Sequence, residues 1–208
     1  NKIETASPSI RLGLADSNLI ARNHVTGGLS LVSGSNNIIF GNNLTDIRLI
    51  FSSNNTIFGN YMANNPGGDT IDFDQGTINN IFYANTFPIN CSVRFNDAGT
   101  TFWDNGTIGN YWCDYKGTDS NGNGIGDSPY LIKGVKWDND VRGDVSFPIG
   151  QDDYPLMAPY DVEHETVVLP QNESFLAILL TVGIAIIVVA AGLLVYHKKH
   201  KHNLVKKV

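Results

Sequence analysis

Between residues 10 and 110 apolar and polar positions alternate in short runs, and the runs recur. Stretches such as "LTDIRLIF" (44–51) and "INCSVRF" (89–95) show the period of two expected of half-buried strands. Between them stand near-copies of one motif: "SNLIARN" (17–23), "NNIIFGN" (36–42), "NNTIFGN" (54–60) and "NNIFYAN" (79–85). Their closing residues, Asn23, Asn42, Asn60 and Asn85, lie at steps of 19, 18 and 25. A shortened copy, "NGTIGN" (105–110), ends at Asn110 after another step of 25. A unit of this length cannot bury its own apolar face, so such repeats predict stacked supersecondary units. β-prone runs and Gly/Asn turns make those units strands. The predicted fold is all-β: a parallel β-helix of about five coils, some 24 Å long at ~4.8 Å per coil. Ile20, Ile39, Ile57 and Phe82 hold one place in the motif and form a predicted inward stack. The closing Asn is placed at a bend, where it tolerates positive φ. Its amide is placed to pair with the Asn of the coils above and below. A β-sandwich also has many short strands, but its strands do not share one local motif.

The pattern changes abruptly at Phe175. "FLAILLTVGIAIIVVAAGLLVY" (175–196) is 22 residues without a charge. As a helix it would reach ~33 Å, against ~30 Å of bilayer hydrocarbon. A buried soluble helix would rarely run so far without a polar stripe, so the segment predicts a single transmembrane helix. The basic run "HKKHKHNLVKK" follows it, which puts the C-terminus in the cytoplasm and everything before Ser174 outside. His197, His200 and His202 in that tail read as part of a stop-transfer flank rather than as metal ligands. The predicted organisation is β-helix repeats over 1–110, a C-terminal cap over 111–157, a stalk over 158–174, the span over 175–196 and a basic tail over 197–208.

Charge supports that division. All 20 acidic residues lie at or before Glu173, with nine of the 14 basic ones; the other five fall in the tail. A body this acidic is excluded as a nucleic-acid binder. The chain starts without Met or an apolar leader, as a fragment or processed product would. Sequons at Asn43, Asn54, Asn90, Asn105 and Asn172 fit an outside location, although so Asn-rich a chain makes them by chance. Cys91 and Cys113 read either as a disulfide or as two free thiols.

Residues 105–156 carry a more specific signal. "GNYWCDYKGTDSNGNGIGDSPYLI" followed by "DDYPLM" resembles the C-terminal signature of NosD-type periplasmic copper-binding proteins, and the upstream "NNTIFGN" copies resemble that family's repeat. The resemblance covers roughly residues 10–158. It implies a right-handed, pectin-lyase-like β-helix of the class found in carbohydrate-binding proteins and sugar hydrolases, and it bears on fold more than on task. The family assists copper delivery, but copper wants His, Cys or Met ligands. Here His24, His164, Met62, Met157 and the two cysteines are scattered, so copper handling is the weakest of the readings.

Two acidic groups are candidates for chemistry. Asp119, Asn121 and Asn123, then Gly124 and Asp127, match the first part of a calcium loop: oxygen donors at alternate positions, then a glycine for the turn. Tyr130 stands where the closing Glu belongs, so Asp114, Asp152 or Asp153 would have to supply the last carboxylate. The loop is either a Ca²⁺ site or a plain hairpin, and in both cases its job is to pin the aromatic cover of the last coil. In "GGDTIDFDQG" (67–76), Asp72 and Asp74 alternate and would share one face of a strand. Paired carboxylates can run glycoside hydrolysis, but no His accompanies them, and nearby Asp69 suggests a solvated or ion-binding insertion. The leading expectation is a membrane-anchored, extracellular, non-catalytic module for adhesion, glycan binding or envelope structure, with glycans or other surface proteins as partners. A polysaccharide hydrolase or lyase, and a copper-delivery accessory, are the alternatives.

Overall fold

The computed structural model describes residues 2–3, 9–63, 68–96 and 99–163, apart from the side chains of Lys2, Ile3 and Trp137. All regular structure among these residues is β. Three sheets share the strands, and the chain visits them in rotation. The first sheet stacks Lys2–Ile3, His24–Val25, Asn43–Leu44, Tyr61–Met62, Thr86–Phe87 and Tyr111–Trp112. The second stacks Ile10–Gly13, Leu29–Val32, Ile47–Ile50, Ile71–Phe73 and Val93–Phe95. The third stacks Leu19–Ala21, Ile38–Phe40, Thr56–Phe58, Asn80–Tyr83 and Thr101–Phe102. Each strand pairs in parallel with its equivalents in the coils before and after: Ile38, Ile39 and Phe40, for example, with Thr56, Ile57 and Phe58. This is the arrangement of a parallel β-helix. A sandwich would need facing antiparallel sheets, and here the only long antiparallel pair among the described residues is a hairpin at one end.

The first and third sheets each send one column of side chains inward, and the second sends two. Ile20, Ile39, Ile57, Phe82 and Trp103 line the third sheet; Val25, Leu44, Met62, Phe87 and Trp112 the first; Leu31, Leu49, Phe73 and their neighbours the second. The core is aliphatic in the early coils and aromatic in the last two, where Phe82 meets Trp103 at 5.3 Å and Phe87 stacks on Trp112 at 4.4 Å. Wide rings at that end also cover the stack from solvent, the role expected of the cap.

The strands are short because the corners come quickly, and the two corners that flank the third sheet each have a left-handed residue. Ser17, Asn36, Asn54 and Asn79 (φ 55–58°) open the third-sheet strand; Arg22, Gly41, Gly59 and Ala84 (φ 55–63°) close it. The expectation gave positive φ to the closing Asn. The structure gives it to the preceding residue, which turns the chain so that the Asn that follows points inward. Asn42, Asn60, Asn85 and Asn110 are buried accordingly.

These buried amides form a ladder. In each rung Oδ1 accepts from the backbone N–H and the Nδ2 of the preceding rung, for instance from Asn42 to Asn60 at 2.9 and 3.0 Å. Nδ2 also donates to a carbonyl one coil back, as Asn60 does to Ile39 at 2.9 Å. Every polar atom of the side chain is thereby satisfied, as burial demands. A second ladder, Asn18–Asn37–Asn55–Asn80, runs at the other end of the same strands, with side-chain bonds of 2.9–3.0 Å. The sequence reading expects a ladder of the closing Asn alone.

The shortened fifth copy differs from the reading of it as a repeat. The fifth strand of the third sheet is Thr101–Phe102, and Trp103 occupies the inward place. Residues 105–108 are a turn in which Asn105 Oδ1 accepts from the N–H groups of Thr107 and Ile108 at 3.0 and 2.9 Å. Only Asn110 keeps its place in the ladder.

The far end is closed by the hairpin Tyr130–Asp138 and Gly143–Asp152, whose Gly134 and Val135 pair with Val93 and Arg94 as a final rung of the second sheet. Phe147 meets Phe95 edge-on at 6.1 Å. Leu156 then bridges to Tyr111, which puts Pro155 in register with Asn110. Beyond the cap, residues 157–163 run back along a corner of the helix. The carbonyl of Val162 accepts from Arg22 at 3.2 Å, and a Cβ on Gly59 would stand 2.6 Å from Val162 Cγ1. Thus the first residues of the expected stalk lie against the coils.

Residues up to Glu165 form one compact unit; Thr166–Val208 form a second. The predicted span over 175–196, the tail, His164 and Asn172 lie outside the described residues. Among the described residues no helix is long and apolar enough to cross a membrane.

Candidate functional site

The outer face of the second sheet carries the acidic pair. Ile71–Phe73 buries its two ends, so Asp72 projects outward. Register sets Asp72 between Arg48 of the coil before and Arg94 of the coil after. Arg48 reaches Asp72 at 3.0 Å and Asp74 at 3.6 Å, so one guanidinium serves both carboxylates. Arg94 binds Asp69 at 2.6 Å and grips Asp144 of the hairpin with two nitrogens at 3.1 and 3.2 Å. These contacts push the Asp144 carboxyl below its ordinary range. Asp72 is shifted the other way: its partial burial raises its pKa against the pull of Arg48. Its Oδ1 is enclosed and has no hydrogen-bond partner. The structure places Asp72 and Asp74 on one face, the pair expected to share it, and adds Asp69 to an alternating Asp/Arg network.

The loop from Asp119 to Asp127 folds around its own carboxylates. Asp119 accepts from the N–H groups of Gly122, Asn123 and Gly124 at 2.8–3.1 Å. Asn121 and Asn123 each accept from a backbone N–H two residues on. Asp127 Oδ2 accepts from both Ser120 donors and from Thr118, which lowers its pKa. Gly122 and Gly124 take φ of 71° and 83°, the left-handed turns these glycines are there to make. The carboxylates considered as a closing ligand are engaged elsewhere: Asp114 with the Tyr130 hydroxyl at 3.0 Å, Asp153 with Gln151 at 2.6 Å, and Asp152 in the core. Among the described residues no three His, Cys, Asp or Glu side chains converge as metal ligands.

Asp152 has a structural role that sequence reading missed. Its Oδ2 accepts from the Asn110 backbone N–H at 2.6 Å, the Asn110 amide at 3.3 Å and the Trp112 indole N–H at 2.9 Å; Oδ1 accepts from Tyr154 at 3.1 Å. It supplies the ladder's last acceptor. The in-register residue, Pro155, has no N–H that would need a further rung. Burial pushes the Asp152 carboxyl up to about 6, against the pull of its donors.

Near this closure lies a cleft of about 330 Å³, lined by Cys91, Val93, Trp112, Asp114 and residues 130–133. Trp112 and Tyr130 stack at 4.4 Å and 13°. Burial holds the Cys91 thiol up to about 12, so it stays neutral; Cys113 is exposed, and both are free thiols. Of the residues weighed for copper, Met62 is buried in the core and His24 is exposed on the first sheet. No protein-family model matches the chain, and no curated protein matches its sequence.

Proposed function

We propose that the chain is a surface-displayed, non-catalytic module: a right-handed parallel β-helix, closed by the hairpin cap and moored by a transmembrane helix at 175–196, that serves adhesion, glycan binding or envelope structure. Right-handedness follows from the general hand of parallel crossovers. The observation that carries the reading is the sharing of Arg48 by Asp72 and Asp74. A hydrolytic pair needs one carboxyl as acid and the other free to attack or to activate water; here one guanidinium engages an oxygen of each carboxylate. A polysaccharide hydrolase or lyase is the second reading, and the unpartnered Oδ1 of Asp72 favours it. A polysaccharide-degradation assay on the wild type, Asp72→Asn and Asp74→Asn separates the two. The proposal expects no turnover from any of them. Wild-type turnover that disappears in the variants would establish the enzyme. Calcium in the 119–127 loop belongs to the same proposal, as a structural ion in the cap. Copper delivery has no support in the placement of Met62 and His24.

A further inference from the structure

We infer that the cleft beside the cap is a binding site for a single neutral sugar ring of a glycan, an inference that rests on the glycan-binding reading above. At about 330 Å³ the cleft sits at the small end of small-molecule sites, which run from ~300 to ~1,000 Å³, and admits one ring rather than a chain. Its lining is amphipathic in the way a pyranose is. Tyr130 brings an aromatic ring to the cleft for the apolar C–H face of a sugar, and that ring is held from behind by its stack on Trp112. Trp112 itself is buried between Phe87 and Tyr130 with its indole N–H on Asp152 at 2.9 Å, so it serves the cleft as a rigid backing. Polar groups gather on the same cleft. Asp114 takes the Tyr130 hydroxyl on its two oxygens at 3.0 and 3.2 Å, which leaves further lone pairs on the carboxylate for sugar hydroxyls. The phenol oxygen is itself free to accept. Lys133, exposed at the rim with Leu131, enters no ion pair among the described residues and supplies donors to sugar oxygens.

Two further features fit a site rather than a packing gap. The hairpin slips register between Ile132 and Lys133, in the stretch that lines the cleft, and such bulges re-aim side chains beside binding sites. Leu131 is 63% exposed at the rim, an apolar side chain left in water next to a polar pocket. The one carboxylate and the one ammonium on the cleft balance, so it offers no net charge to a ligand, and a neutral ring with hydroxyls that both donate and accept satisfies each. The neutral Cys91 thiol adds neither charge nor a metal ligand.

Saturation-transfer NMR on the full chain in detergent micelles tests the site, with D-glucose, D-galactose, D-mannose and N-acetyl-D-glucosamine as probes and D-glucuronate as the charged comparison. A ring of about twelve heavy atoms, at the efficiency of drug-sized ligands, binds with a dissociation constant of about 1 mM. One or more neutral sugars should saturate in that range. Asp114→Ala and Lys133→Ala should each weaken binding about tenfold, while Asp72→Asn, on the outer Asp/Arg face, leaves it unchanged. Asp114→Asn keeps an acceptor for the Tyr130 hydroxyl and should recover part of the loss, which separates a binding effect from a folding one. Neutral sugars bound equally well by the Asp114 and Lys133 variants would overturn this site while leaving the glycan-binding reading intact. Binding of glucuronate alone would overturn the neutral class. Failure of the wild type to bind these sugars overturns the site, and its failure also to be retained on immobilised polysaccharide overturns the glycan-binding reading with it.

Discussion

The end of the asparagine ladder makes a pH-dependent prediction. Asp152 is fully buried and accepts four hydrogen bonds, yet its carboxyl is pushed up to about 6. In the unfolded chain an Asp titrates near 3.9. The folded state therefore holds its proton more tightly. Its stabilising effect is complete below about pH 4 and is lost as pH rises through about 6, so on this group's account stability falls between pH 4 and 7. At ~1.4 kcal/mol per pH unit the fall is about 3 kcal/mol. Asp152→Asn removes the titration but not the shape. Its amide oxygen can keep the Asn110 and Trp112 donors, while its NH₂ faces the Tyr154 N–H and forfeits one bond, a loss of about 1–2 kcal/mol. The variant should therefore be less stable than the wild type at pH 4, at least as stable at pH 7, and flat in between. Urea unfolding followed by circular dichroism at half-unit steps of pH reads both slopes. Parallel slopes in the two proteins, or a variant more than ~2 kcal/mol weaker at pH 7, would show that Asp152 does not end the ladder as an enclosed carboxyl.

Asn60→Ala should lower stability by about 3–5 kcal/mol, because it leaves two Asn42 donors without partners in the core and removes the amide's bond to the Ile39 carbonyl. Asn54→Gly, at an exposed corner with φ of 55°, should change it by no more than about 0.5 kcal/mol in the same chemical-denaturation experiment. For the cap loop, removing Ca²⁺ with a chelator should lower the melting temperature, and Asp119→Ala should abolish the chelator's effect while lowering the baseline through three lost loop hydrogen bonds. An unchanged melting temperature on chelation would make the loop a turn held by its own side chains.

Much of the helix was legible in the chain. The recurrent heptad and its period of two specify which residues face inward, because burial in a solenoid is a property of position within one coil. Ile20, Ile39, Ile57 and Phe82 fall in one buried column, and the closing Asn stack rung on rung. Positive φ was assigned one residue late because Asn is itself a left-handed former. Arg22 and Ala84 are not, and they adopt the conformation only because ladder bonds on either side over-determine it. "NGTIGN" misled for a related reason: Asn, Gly and Thr serve a turn as readily as a repeat.

Spacing along the chain is enough to set the one-dimensional order: an all-β chain, its repeat, its inward columns and the residues that take part in them, since these depend on position within a unit of about twenty residues. Tertiary structure alone decided what meets across units. Coils of unequal length remove any constant offset between neighbours, so nothing in the chain announces that Arg48 lies between Asp72 and Asp74, or that Arg94 joins Asp69 to Asp144. Likewise Asp152 and Pro155, which follow no repeat, close the ladder only because the hairpin returns them to Asn110. A buried polar column has to end in a group that accepts without donating, and only the folded chain shows which residue arrives there to do it.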